Sequence, residues 1–135
     1  MRDVSLWRGL LGLEHTVVEG VEFDSDAGVL VVAVRPVARW RSRCGRCRAP
    51  ARGCGAGRGR RRWRALDFAV VRVFLEAEAP RVRCAEHGVV VAYVPWARHR
   101  ARATYGFEDQ VAWLVTKASL STVAKFMRTA WRTVN

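Results

Sequence analysis

Four side chains in two short turns, Cys44-Gly45-Arg46-Cys47 and Cys84-Ala85-Glu86-His87, carry the most legible chemistry in this sequence. Two residues separate the ligating side chains in each pair, a spacing that lets one tight turn aim both at a single ion. Together the turns supply the four ligands of a closed tetrahedral zinc site. Such a site has no open position for a substrate, so the zinc would hold shape rather than perform catalysis. Gly45 and Gly88 stand where these turns are expected to require positive φ. The gap between the halves exceeds the roughly 15–20 residues of a simple ribbon, so the ion would staple distant parts of the chain. Two other readings stay open. The cysteines could be reduced and packed as small apolar residues, or Cys44 and Cys47 could form a redox pair whose thiolate Arg46 stabilises. Cys54 is an alternative fourth ligand; the matched spacing ranks His87 ahead of it.

Arginine is the second chemical signal. The chain carries 24 basic against 12 acidic residues, a formal charge of +12, and Lys117 and Lys125 are its only lysines. Guanidinium groups grip phosphate bidentately and stack on bases, so this excess points first to nucleic acid. A GC-rich genome would explain arginine in place of lysine, but not the twofold excess of base over acid. From Arg35 to Arg64 there is no acidic residue. An uncompensated run of this kind, looped by Gly53, Gly55, Gly57 and Gly59, is an electrostatic footprint for a polyanion. Arg41, Arg43, Arg46, Arg48, Arg60, Arg61 and Arg62 are the candidate phosphate contacts there, with Arg98 and Arg100 in a second basic stretch. Trp40 and Trp63 interleave the arginines, with stacking on bases and packing beneath the metal turn both open.

The elements that must position these groups follow from periodicity. At 135 residues the chain can build one ordinary core or two small modules, one leaning on a metal. Leu6, Trp7, Leu10, Leu11 and Leu13 predict a short opening helix. Thr16–Phe23 and Val29–Val34, joined by Asp24-Ser25-Asp26-Ala27-Gly28, predict a β-hairpin. Strands are expected over Trp63–Leu66, Val70–Glu78 and Val82–Arg83, with another leaving His87, giving an α+β chain whose small antiparallel, zinc-ribbon-like module precedes a helical segment. In that segment Phe107, Val111, Leu114 and Val115 share one apolar face. Ser119 or Ser121 caps a next helix carrying Leu120, Val123, Ala124 and Met127. A further helical start at Ala130, capped by Thr129, completes the layout of a helix-turn-helix, whose Arg132 and Thr133 would face base edges; an ordinary three-helix bundle is the plainer reading. The composition shift divides the chain into a β-rich zinc-binding domain, 1–97, and a helix-turn-helix segment, 98–135. Since the chain stops inside the expected recognition helix, it reads as a truncated piece. No run approaches the ~20 apolar residues of a membrane span, and no signal peptide is read at the N-terminus. The expected location is the cytoplasm, at the nucleoid, where reduced cysteines favour metal over disulfides.

In the order of these parts the chain resembles the N-terminal region of bacterial insertion-sequence transposases of the ISL-three family. The resemblance rests on the Val-rich hairpin, the Cys44–Cys47 turn, Arg62-Trp63-Arg64-Ala65-Leu66-Asp67, and Arg81-Val82-Arg83-Cys84. It extends to Leu120-Ser121-Thr122-Val123-Ala124 and Trp131-Arg132-Thr133-Val134. It implies zinc on Cys44, Cys47, Cys84 and His87, where family members commonly have Cys at the last position. It also implies binding of double-stranded DNA at the element's terminal inverted repeats, with a complete transposase or a second copy as further partner. The family's catalytic domain, which holds two metals on three carboxylates, would lie downstream, so no acid here is assigned to phosphoryl transfer and the chain as it stands is not read as an enzyme. The rival is a zinc-ribbon RNA-binding or ribosome-associated module.

Overall fold

Alternating β-branched residues from Thr16 onward extend as β1 (Thr16–Asp24) and β2 (Val29–Pro36), following a helix of about two turns, α1 (Val4–Leu10). The computed structural model describes residues 4–130. Between β1 and β2 the Asp24 carboxylate accepts hydrogen bonds from the Asp26 and Ala27 amides, both at 3.1 Å. Gly28, at φ +65, closes that turn. A 3-10 turn (Ala38–Trp40) and a short β3 (Arg52–Gly53) lead into a second hairpin, β4 (Arg60–Phe68) and β5 (Val71–Glu78). Then follow β6 (Arg81–Cys84), β7 (Gly88–Val91), α2 (Tyr105–Leu114) and α3 (Leu120–Met127).

The strands form two sheets. The expected small antiparallel sheet is present as β3-β6-β7. Beside it lies a four-stranded sheet, β1-β2-β5-β4, in which the two hairpins meet through a parallel pairing of β2 with β5. That pairing is non-local, and period-2 alternation carries no information about it. One face buries Leu30, Val32 and Val34 of β2, Val73, Leu75 and Ala77 of β5, and Trp63 and Ala65 of β4. Trp7 of α1 and the segment carrying Trp96, Ala97 and Ala101 pack against that face. Trp63 meets Trp96 edge to face at 5.4 Å, a favoured aromatic arrangement.

A second apolar cluster joins the helices: Ala103, Phe107, Val111, Val123 and Met127. The Thr104 hydroxyl accepts from the Phe107 amide and caps α2, and Ser119, of the two serines considered, caps α3 by accepting from the Thr122 amide. Leu120, expected on the apolar face, does share the stripe of Val123, Ala124 and Met127 by its i, i+3, i+4, i+7 spacing, but as the first residue of α3 it lies beyond the buried helix cluster and is 41% exposed. The expected recognition helix, with Arg132 and Thr133, lies outside the described residues. Among the described residues no helix is long and apolar enough to cross a membrane.

Candidate metal centre and nucleic-acid interface

Folding brings Cys44, Cys47, Cys84 and His87 to one point, with one ligand atom of each within 4.8 Å of the others. The Cys47 and Cys84 sulfurs are 3.7 Å apart, and His87 Nδ1 lies 3.7 Å from Cys44 Sγ and 3.6 Å from Cys84 Sγ. A tetrahedral zinc with Zn–S near 2.3 Å and Zn–N near 2.0 Å has S···S edges of about 3.8 Å and S···N edges of about 3.5 Å. The donor set and its spacing therefore fit zinc. Cys54 stands apart from the cluster, its sulfur 3.8 Å from the Arg83 guanidinium.

Each turn is placed by backbone pairing. The second is the connection of the β6–β7 hairpin, where Cys84 opposes Gly88. The first is held by Arg48 N–H to the Cys44 carbonyl at 2.8 Å, Cys44 N–H to the Ala49 carbonyl at 2.9 Å, and a bridge from Cys44 to Ala92. Gly88 has the expected positive φ, +70, but Gly45 does not; the left-handed residue of the first turn is Arg48, at φ +64. Both left-handed positions thus follow the second ligand of their turn. Gly45 is needed for space: a Cβ there would overlap the Val91 carbonyl and sit 2.5 Å from His99 Nδ1.

The turns also prepare sulfur for metal. The Glu86 and then the His87 backbone amides, followed by the His87 ring, draw the Cys84 thiol down to about 6. Thiolate is the form a metal binds. At Cys47 the Ala49 amide lowers the value, yet burial and the Cys84 and Cys44 sulfurs outweigh it and hold the thiol above its ordinary value.

The arginines divide by what they touch. Glu76 of β5 accepts from Arg62 at 2.8 Å and from Arg60 at 3.0 Å, and these two contacts, Arg62's the larger, hold its carboxyl below the ordinary range. The sequence run lacks acids, but antiparallel register sets Glu76 opposite Arg62. Arg35 similarly meets Glu19, and Arg98 meets Glu108 at 2.8 Å. Arg43 donates to the Arg39 and Arg48 carbonyls and lies over the Trp40 ring. Arg61 donates to the Ala101 carbonyl at 2.7 Å over the Trp63 ring; burial first, then Arg102, lowers its pKa. Arg41, Arg46, Arg48 and Arg100 are exposed and make no ion pair among the described residues. Trp63 is 2% exposed in the core of the four-stranded sheet against Trp96, so it is closed to base stacking; Trp40 packs between His15 and Tyr93.

Sequence reasoning overlooked Arg64, which it grouped with the phosphate-facing run. Strand alternation turns it away from Trp63 and Ala65, and it is 9% exposed beside Phe107. Its guanidinium donates to the Met127 and Arg128 carbonyls at 3.0 and 3.1 Å and to Asp67 at 2.8 Å. Those carbonyls end α3, where a cation also meets the negative end of the helix dipole. Asp67 in turn accepts from Arg128, the left-handed C-cap of α3. The backbone of Arg64 adds to this tie, pairing with Arg102 and Thr104. A buried tether thus runs from β4 to the turn that follows α3, and the alternation around Trp63 was its one visible signal.

Comparison with known proteins agrees with this arrangement. A family model for the zinc-finger of transposase IS204/IS1001/IS1096/IS1165 matches residues 40–87, and one for the helix-turn-helix domain of transposase family ISL3 matches residues 93–135. The transposase for insertion sequence element IS1557 from two Mycobacterium tuberculosis strains, CDC 1551 / Oshkosh and H37Rv, is 52% identical over 139 residues. That alignment covers 99% of this chain and 31% of each relative, so the chain spans about a third of their length. No solved structure matches. With both regions matched and the likeness running almost end to end, the chain carries the zinc-finger and helix-turn-helix regions that the ISL3 transposase family models describe.

Proposed function

We propose that this region binds double-stranded DNA at the terminal inverted repeats of an insertion sequence, and that a zinc ion on Cys44, Cys47, Cys84 and His87 holds its shape. The observation that carries the reading is the four-ligand cluster, spaced for tetrahedral zinc, within the two transposase-family regions. A saturated ion of this type does no Lewis-acid work; it fixes the loop that bears Arg46 and Arg48. The unpaired Arg41, Arg46, Arg48 and Arg100 supply phosphate contacts, while Arg43 is spent inside the protein, Arg61 is anchored by one bond to the Ala101 carbonyl, and Arg60, Arg62 and Arg98 share acidic partners. Base readout falls to Arg132 and Thr133. Domains 1–97 and 98–135 act as one unit through the Arg64 tether. No catalytic step is assigned to any residue of this region. Its place is the nucleoid within the cytoplasm, with a complete transposase or a second copy as partner.

Fluorescence anisotropy with three probes tests this: a duplex carrying the element's terminal repeat, a scrambled duplex, and single-stranded RNA of equal length. Tighter binding of the repeat duplex, weakening steeply with salt, is expected. Preference for the RNA would replace the reading with the RNA-binding alternative, which the burial of Trp63 already disfavours. Equal binding of both duplexes would remove the claim about terminal repeats.

A further inference from the structure

Beside the first metal turn lies a cavity of about 190 Å³, formed where that turn, β4 and the 97–100 segment converge. Arg46, Arg48, Arg61 and Arg100 line it, together with His99 and with Arg98, whose partner Glu108 lies outside the lining, and no acidic side chain lines it. These cations come from three separated stretches of sequence, so only the fold assembles them. They are close enough to repel: burial first, then Arg100, Arg46 and Arg61, disfavour a charge on His99. By contrast, a roomier cavity of about 380 Å³ near Pro80 is lined by Glu19 and Glu78 as well as by Arg35, Arg41 and Arg60, so its charge is already balanced.

Concentrating like charges in a recess costs free energy unless an anion completes it. We propose that this recess seats one phosphodiester group of the duplex backbone. This rests on the DNA-binding reading above and deepens it. Two features favour a bound phosphate over a diffuse field. Arg61 is fixed at the floor by its bond to the Ala101 carbonyl and by the Trp63 ring, and Arg48 is held over the Tyr93 ring with its centre 5.0 Å away. Partial enclosure also weakens solvent screening, so each guanidinium acts on the anion more strongly than on an open surface. Gly45 lets the turn close on His99 and brings Arg46 to the rim, which makes the recess dependent on a correctly formed metal turn. Tyr105, the first residue of α2, forms another part of the wall, so a phosphate seated here touches both modules.

The test compares zinc-loaded wild type with Arg46→Ala/Arg100→Ala and with Arg8→Ala/Arg81→Ala, which removes equal charge elsewhere. Duplex affinity is measured against salt concentration. Loss of one seated phosphate should weaken binding roughly tenfold and flatten the slope of log K against log salt by about 1. The control pair should change the slope by less. Inorganic phosphate, followed through the amide resonances of Gly45, Arg61 and His99, should give saturable shifts in wild type that the Arg46/Arg100 variant lacks. Wild-type duplex binding with an unchanged slope in the Arg46/Arg100 variant would overturn the phosphate seat and leave the DNA reading standing. Failure of wild type to bind any duplex would overturn both.

Discussion

The sheet β1-β2-β5-β4 buries Val32, Val73, Leu75 and Trp63 beneath Trp96 and Ala97, whereas β3-β6-β7 has only Val82 and Cys84 buried among its own strand residues. The first can be held by packing, since each fully buried side chain of this size contributes about 1.5–3 kcal/mol. The second has too little apolar area for that, and on the proposed zinc reading its order depends on ligands drawn from two turns. The difference teaches where each kind of damage should be felt. Metal loss should act on the side that carries the exposed Arg46 and Arg48, and core truncation on the side that carries the helices.

Removing the metal should have the largest effect. Apparent zinc binding energies in small zinc-dependent folds are about 10–16 kcal/mol, far above what Val82 can offset. Chelation, Cys84→Ser or His87→Ala should therefore expose the amides of β6 and β7 to exchange while those of β2 and β5 stay protected. Cys54→Ala should retain one zinc by elemental analysis, because that sulfur lies outside the cluster. Equal loss of protection in both sheets would break the comparison.

Leu75→Ala tests the packing side. Leu75 is 0% exposed at the centre of β5, and the truncation should cost about 3–5 kcal/mol in denaturant titration, with zinc stoichiometry unchanged. A cost below about 1 kcal/mol would mean that packing is not what holds this sheet. Arg64→Met comes next, at about 2–3 kcal/mol, since the Met127 and Arg128 carbonyls lose their donor while Asp67 keeps Arg128. Its signature is local: faster amide exchange at the end of α3 with both sheets unaffected. Uniform loosening would make Arg64 a general core residue rather than a tether.

How much of this was legible follows from the range of each interaction. Ligand spacing is local, so the pairs Cys44–Cys47 and Cys84–His87 could be read, as could the β1–β2 hairpin and, as one of two candidates with Ser121, the Ser119 cap. The left-handed position was read three residues too early in the first turn, because Gly45 is kept for its missing Cβ and Arg48 takes the positive φ. The β2–β5 pairing, the exposure of Leu120 and the fate of the arginines depend on partners distant in sequence. A run free of acids looked uncompensated, yet Glu76 reaches Arg60 and Arg62 across a hairpin.

That carboxylate offers the finest test, because it sits on the packing-held sheet and restrains two arginines of the other side's chemistry. Its carboxyl lies below the ordinary 4.5, so it contributes stability above about that pH and loses it as pH falls through the lower folded value. Glu76→Gln should flatten this acid limb and cost at most about 1 kcal/mol, as expected of a partly exposed ion pair. The same change frees Arg60 and Arg62, so duplex affinity should rise by roughly threefold to tenfold. The salt slope should steepen by about 1 if one further phosphate is engaged. Higher affinity at unchanged fold would place the β4 edge against the duplex. Unchanged affinity would confine DNA contact to the metal-held side and sharpen the division between the two sheets.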